Sequence, residues 1–298
     1  KHKVTHIIGM QLGALFINHR LQYDYQDNGQ LAKISVTYNG KTQTVIDGIT
    51  QSPNGPLRQF RYGNQLMQNF AYDKQHRLTF IGVSGKASSG NSHTLQHDSL
   101  VYDANAQIVQ IDDGVDSRQD QTFAYDDAGR LRLASSTSYG VKKYQYDANG
   151  NRTALMGTRK ARYVYASDSN RLTQITQYGR TRRLTHDENG DLISDTPAFG
   201  ATRQYQYNAQ NQLTASQSGS QSTQYRYDPR GYRFSKARAS HATKYFNYSP
   251  DGVLLSESGN KIYIYFAGRV VAMMHGSQLY FVHSDHLGRP ERITDQQQ

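Results

Sequence analysis

Apolar and polar positions alternate in short runs along this chain, and the runs end alike. The recurring phrase is aromatic, any residue, aromatic, Asp, then a short polar stretch, Gly or Asn, and Arg-Leu or a relative of it. Tyr144-Gln145-Tyr146-Asp147-Ala148-Asn149-Gly150-Asn151-Arg152 is a full copy. So are Phe123-Ala124-Tyr125-Asp126, running through Gly129 to Arg130-Leu131, and Tyr225-Arg226-Tyr227-Asp228 with Gly231. Phe70-Ala71-Tyr72-Asp73 runs on to Arg77-Leu78, and Tyr205-Gln206-Tyr207-Asn208 to Asn211-Gln212-Leu213. Weaker copies hold Tyr23-Asp24-Tyr25, Tyr102-Asp103, Tyr163-Val164-Tyr165, His186-Asp187, Phe246-Asn247-Tyr248, Tyr263-Ile264-Tyr265 and Phe281-Val282-His283-Ser284-Asp285. From Tyr72 to His283 the second aromatic (or His) recurs every 17–23 residues, apart from one step of 30 to Tyr102.

Aromatics at i and i+2 share one face of a strand. Asp before small residues and Gly is turn chemistry, because its carboxylate bonds nearby amides and Gly tolerates positive φ. One period therefore predicts strand, turn, strand, turn, with Gly129, Gly150 and Gly231 at positive φ. The fold class is all-β: one long curled antiparallel sheet of about 24 strands, each roughly six residues long. Tyrosine stacked on tyrosine from repeat to repeat is expected to tie neighbours together. The expected division is a leading segment at 1–20 and a repeat region at 21–298, with a Ser/Gly-rich loop insertion at about 82–93.

Leu, Ile, Val and Phe make up 57 of 298 residues, or 19%, a share low enough to suggest disorder. The 23 Tyr argue for folding instead, since Tyr supplies buried area and keeps a polar tip. So few aliphatics predict that no continuous apolar core separates two packed layers. The expected wall keeps both faces partly wet, with Arg and Gln common on the side that lines a cavity. No run of about 18 apolar residues spans a membrane. Zero Cys removes disulfides and thiolate metal sites. The net charge of +10 is spread evenly. Its local clusters, Arg159-Lys160-Arg162 and Arg180-Arg182-Arg183, read as solvated strand faces, so nucleic acid is not an expected partner.

Nothing in the sequence assembles into catalytic chemistry. His283, Ser284, Asp285 and His286 have triad residue types, but neighbours on a strand point to opposite faces. His283/His286 and His93/His97 lack a helical period and a third ligand, so no metal or cofactor is expected. Gly85-Lys86 lacks the P-loop spacing, with Ala87 in place of Ser or Thr. Asp47, Asp112, Asp113 and Asp116 read as turn caps.

The repeated phrase resembles the YD repeat of the Rhs proteins, over about residues 21 to 296. Its markers are Tyr72, Asp73, Tyr102, Asp103, Tyr125, Asp126, Gly129, Tyr146, Asp147, Gly150, Tyr165, Tyr207, Tyr227, Asp228, Gly231, Tyr248 and Tyr265. The closing segment is the most specific part: His283, Asp285, His286, Leu287, Gly288, Pro290, Thr294 and Asp295 resemble the phrase that ends the Rhs core. The resemblance implies a cocoon-like β-shell of a bacterial Rhs-type toxin, secreted or at the cell surface, without enzyme activity of its own. Its implied partners are a C-terminal toxic domain in the same polypeptide, the remaining shell segments and a secretion or translocation component. The family's self-cleavage segment follows the closing phrase and is not within these residues, so the chain reads as a fragment or a short shell. The alternative reading is a module that binds carbohydrate or a cell surface through exposed Tyr, Asn, Gln and Arg.

Overall fold

The computed structural model describes residues 3–12, 15–52, 55–86, 90 and 92–298, with side chains from residue 19 onward. Among these residues are 27 strands, one 3-10 turn at Ser117–Gln119, and no α-helix. The strand pairs with a defined register are antiparallel and join neighbours in sequence, as in Gln121–Tyr125 with Leu131–Ser136 and Gly140–Tyr146 with Arg152–Gly157.

Two kinds of turn build these hairpins. At the YD phrase the Asp amide donates to the carbonyl four residues on, and the amide three residues on donates back to the Asp carbonyl. Asp126 with Arg130 and Gly129 is one case, Asp147 with Asn151 and Gly150 another. This is a three-residue loop whose last residue is left-handed. Gly129, Gly150 and Gly231 have φ of +74°, +85° and +88°. At the other end of the strands are tight two-residue turns, such as Tyr178-Gly179 between Gln177 and Arg180, with φ of +50° and +74°. A bulge follows each YD turn: the register slips at Tyr125, Tyr146, Tyr165, Tyr207 and Tyr227.

The left-handed position is not always glycine. His76 and Ala106 occupy it at φ of +61° and +62°. A left-handed L-residue costs about 1–2 kcal/mol, and glycine's extra unfolded-state freedom returns about 0.4–1 of that. Ala106→Gly is therefore expected to stabilise the protein by roughly 0.5 kcal/mol or more. Gly150→Val is expected to cost about 1–2 kcal/mol from backbone strain alone, because a Cβ there meets no atom within 4 Å. Denaturant titrations of both variants check the pair. A Gly150→Val midpoint equal to wild type contradicts the turn assignment.

The chain divides into two units: residues 1–117 with 246–298, and residues 118–245. Residue 20 lies inside the strand Leu15–Tyr25, whose pairing with Lys3–Leu12 places the expected leading segment and the start of the repeats in one hairpin. The expected loop insertion at 82–93 is also corrected. Gly82 lies within the strand Leu78–Lys86 and His93 within Ser92–Tyr102, paired from Phe80/Ser99 to Lys86/Ser92. The extra residues lengthen one hairpin; Ala87, Ser88, Ser89 and Asn91 lie outside the described residues.

A second correction concerns the core. In the first unit Ile34, Ile46, Tyr62, Leu66, Ile81, Ile264, Met274, Leu279 and Phe281 are all buried to below 2% exposure. Tyr62 meets Phe281 edge-on, and Phe60 meets Phe266. Strands early and late in the chain thus share a continuous, mainly apolar buried interior, which the composition argued against. The reason is segregation. Of 24 buried hydrophobic side chains among the described residues, only Ala134 and Ala161 lie in 118–245, so the average share of aliphatics fits neither unit.

Candidate functional site

The YD residues form a repeated lattice. Asp126 Oδ1 accepts from the amides of Ala128 (3.1 Å) and Arg130 (2.9 Å), and Oδ2 accepts from Arg130 Nε (2.8 Å). The amide of Arg130, foremost among these contacts, holds the Asp126 carboxyl below the usual range. Arg130 then reaches the next repeat: Nη1 donates to the Asp147 carbonyl (3.1 Å), and the guanidinium lies 4.8 Å from the Tyr146 ring centre. Tyr146 reaches back, its hydroxyl donating to the Leu131 carbonyl (2.8 Å). The same set recurs with Asp73, Arg77, Tyr102 and the carbonyls of Leu78 and Asp103.

Tyr165, Tyr207, Tyr227 and Tyr265 extend the hydroxyl bond to Arg152, Leu192, Leu213 and Leu254. Asp228 caps Arg230 and Tyr232, while Asp103 caps Asn105 and Gln107. Tyr72 and Tyr248 sit at the matching bulges. The expected ladder of tyrosine on tyrosine is corrected at Tyr144 and Tyr163, because Arg152 stands between them, 5.8 and 4.5 Å from their ring centres. In the repeats of Asp73 and Asp126 a cation–π contact and two hydrogen bonds to the next repeat take the place of ring stacking. Sequence reading missed this role of Arg, although its place four residues after Asp was visible.

In residues 118–245 the two sheet faces differ. Cross-strand partners share a face, so Phe123, Tyr144, Tyr163, Arg182, Asp195, Arg203, Tyr205 and Tyr225 lie on one side. Asp195 is fully buried there, with both oxygens 2.6 Å from Arg182 nitrogens and Arg203 Nη1 at 3.4 Å. Sequence reading missed it; the available signal was an Asp inside a strand rather than in a turn.

One turn departs from the phrase. Ala166 stands where Asp is usual, and the loop closes one residue later, on Arg171. Beside it lies a cleft of about 700 Å³ lined by Asn149, Asn151, Tyr163, Asp168, Ser169 and Asn170, among others. Asn149 and Asn151 both donate to Asn170 Oδ1.

The closing segment is built into the other unit. His283 is fully buried beside the Tyr62 ring, with Nε2 2.9 Å from Thr294 Oγ1. Asn64 Nδ2 donates to Thr294 Oγ1 and the Asp295 carbonyl. Asp285 caps the turn, accepting from the amides of Leu287 and Arg289, and Gly288 takes φ of +79°. Pro290 starts the last strand opposite Ser284, and Leu287 is exposed. Burial lowers the His286 pKa. Gln96 bonds Asp98 and Glu291, and burial raises both carboxyls. His283 and Asp285 thus serve different structures, core and turn. His97 packs on Phe80, Asp47 pairs with Arg61, and Asp113 caps Val115 and Asp116. No His, Asp or Glu group among the described residues has a metal-binding arrangement.

Burial pushes the His283 pKa from 6.5 down to about 4. The fold prefers the neutral ring, so its contribution is complete above pH 6.5 and is lost as pH falls toward 4. The loss is of order 3 kcal/mol at about 1.4 per pH unit. Asp98 and Glu291 act oppositely, so the His283 part is the difference between wild type and His283→Gln. Urea titrations from pH 7 to 4 are expected to show a shallower acid decline in the variant; parallel profiles contradict this.

Residues 88–298 match the family model of the teneurin YD-shell. Among curated proteins, the chain is 25% identical over 238 residues to the tRNA3(Ser)-specific nuclease WapA of Bacillus spizizenii, covering 75% of this chain and 9% of that protein. It is 23% identical over 367 residues to the double-stranded DNA deaminase toxin A of Burkholderia cenocepacia, covering 97% and 24%. It therefore spans under a quarter of either relative. Among solved structures, the crystal structure of TcdB2–TccC3–Cdc42 superposes with a TM-score of 0.62 at 16% identity, over 94% of this chain and 16% of that one. The Photorhabdus luminescens Tc holotoxin pore gives 0.64, with the same identity and coverage. These likenesses establish the all-β fold shared with those toxin chains. No helix among the described residues is long and apolar enough to cross a membrane, which says nothing of β-barrels.

Proposed function

The chain belongs to the teneurin YD-shell family, and on that premise we propose that it is wall of an Rhs-type toxin shell that secludes a toxic segment of the same polypeptide. The observation that carries the reading is the lattice: Arg77, Arg130, Arg171 and Arg269 reach forward to a backbone carbonyl of the next repeat, and the hydroxyls of Tyr102, Tyr146, Tyr165, Tyr207, Tyr227 and Tyr265 reach back. Such bonds bind neighbour to neighbour, so a wall extends without a core on both faces. In 118–245 the side chains that do chemistry elsewhere are spent on turns and on Asp195, which fits a structural part without catalysis. The nuclease and deaminase named for the two relatives would then reside outside the matched part. Secretion, and a partner that delivers the protein, belong to the same proposal.

Limited proteolysis of the complete product of the gene tests it. Residues of the repeat lattice and the secluded segment are expected to resist a protease that rapidly cuts the same segment expressed alone. Equal cutting rates overturn the reading. The second reading, carbohydrate binding, is favoured by one observation, the Asn, Asp and Tyr cleft beside Ala166. Amide, carboxylate and hydroxyl groups beside an aromatic ring suit a neutral sugar. Loss of glycan binding on Asn170→Ala would support it, and a glycan array without a hit would remove it.

A further inference from the structure

The second face of residues 118–245 bears no carboxylate. By register it carries Lys143, Gln145, Arg162, Gln174, Thr176, Arg183, Gln204, Gln206, Gln217, Gln224 and Arg226. Lys143, Arg162, Arg183 and Arg226 are exposed. None of the four has a carboxylate partner among the described residues, in contrast to Arg182, Arg203 and Arg230. The carboxylates of this unit lie elsewhere. Asp126, Asp147, Asp187, Glu188, Asp191 and Asp228 sit outside the strands at YD turns, Asp120, Asp127 and Asp168 lie in loops, and Asp195 is on the aromatic side. The alternation that puts aromatics on one side leaves the other with cations, neutral amides, hydroxyls and a few aliphatics such as the exposed Val141 and Val164, and with no carboxylate.

We propose that this carboxylate-free face is a docking surface for an acidic polypeptide. Charge complementarity names the sign of the partner, and the glutamine row names its kind. Side-chain amides donate and accept like peptide groups, so they can satisfy a backbone lying across them. A nucleic acid fits less well, because strand-binding surfaces join cations to aromatic platforms. Here most platforms face the other way; Tyr245 and Phe234, beside Arg226, are the exceptions. Lys143, Arg162 and Arg183 lie on strands roughly 10 Å apart and Arg226 roughly 19 Å farther on, which suits loose retention of a chain rather than one tight pocket. The inference rests on the shell reading for its biological sense, naming the chemistry of what the wall faces.

The test is fluorescence anisotropy of labelled poly-L-glutamate with the 298-residue chain. The quadruple variant K143Q/R162Q/R183Q/R226Q is expected to weaken binding about tenfold, as four exposed ion pairs would imply. A control of equal charge, K142Q/R180Q/K236Q/K244Q, changes cations of the aromatic face and is expected to alter binding less than about twofold. The pair R162Q/R183Q gives an intermediate loss and serves if the quadruple fails to fold. Equal losses in both quadruples, no binding by wild type, or tighter binding of single-stranded DNA or heparin than of poly-glutamate would overturn the proposal. The shell reading fails separately: protease protection of the secluded segment that is unchanged in the quadruple leaves the shell standing and sinks this surface. Glutamate binding without protection does the reverse.

Discussion

Replacing Tyr62 with alanine is expected to destabilise the unit of residues 1–117 and 246–298 by about 4 kcal/mol. Tyr62 is 1% exposed. Its ring touches Phe60, Phe281 and His283, with centroids 4.9, 5.8 and 4.6 Å away. Its hydroxyl is shared between Gln68 Oε1 (3.1 Å) and the Val282 carbonyl (3.0 Å). Truncation removes the ring and opens a cavity between parts of the chain some 220 residues apart. The contacts of Tyr62 with Phe281, His283 and the Val282 carbonyl are therefore lost together. Tyr62→Phe keeps the ring and strands two buried acceptors, so it should cost about 1–3 kcal/mol. Burial of the phenol raises its pKa, as a hydroxyl that stays protonated requires. Guanidinium unfolding followed by circular dichroism measures both. A Tyr62→Ala loss below about 1 kcal/mol would show that the interior is not the packed core described.

Arg182→Ala is expected to cost about 3 kcal/mol in the other unit, because it leaves a buried carboxylate with one long contact. Asp195 is fully buried, and both short bonds come from Arg182. Arg203 is more exposed and sits at 3.4 Å, so Arg203→Ala should cost about 1 kcal/mol or less. Replacing Arg182 and Asp195 together by Met and Leu should cost less than Arg182→Ala alone, since no buried charge remains. A double variant worse than the single one would mean that the pair stabilises beyond desolvation. Hydrogen exchange at 192–196 would locate the effect.

The repeat itself was legible because strand alternation and turn residues are local. Tyr125, Asp126 and Gly129 state their bulge, cap and left-handed turn within five residues. What was not legible depends on distance or on averages. Tyr62 and Val282 meet across the chain, and no period in the sequence relates them. The aliphatic share was read as uniform, whereas Ile34, Ile46, Ile81 and Ile264 gather in one unit. The Ser/Gly-rich stretch after Gly82 looked like a loop, because small residues also suit a strand packed closely: a Cβ on Gly82 would meet Phe80 at 2.5 Å. The forward reach of Arg77 and Arg130 was hidden for a different reason. It joins one repeat to the next, and alternation within a strand carries no information about that step.

Electron cryomicroscopy of the complete gene product tests the central claim most directly. The account predicts that residues 118–245 form wall, one sheet thick, with density of another segment of the polypeptide against the face that bears Lys143, Arg162, Arg183 and Arg226. A second sheet packed dry against that face, or repeats arranged as propeller blades around a bound ligand, would contradict it.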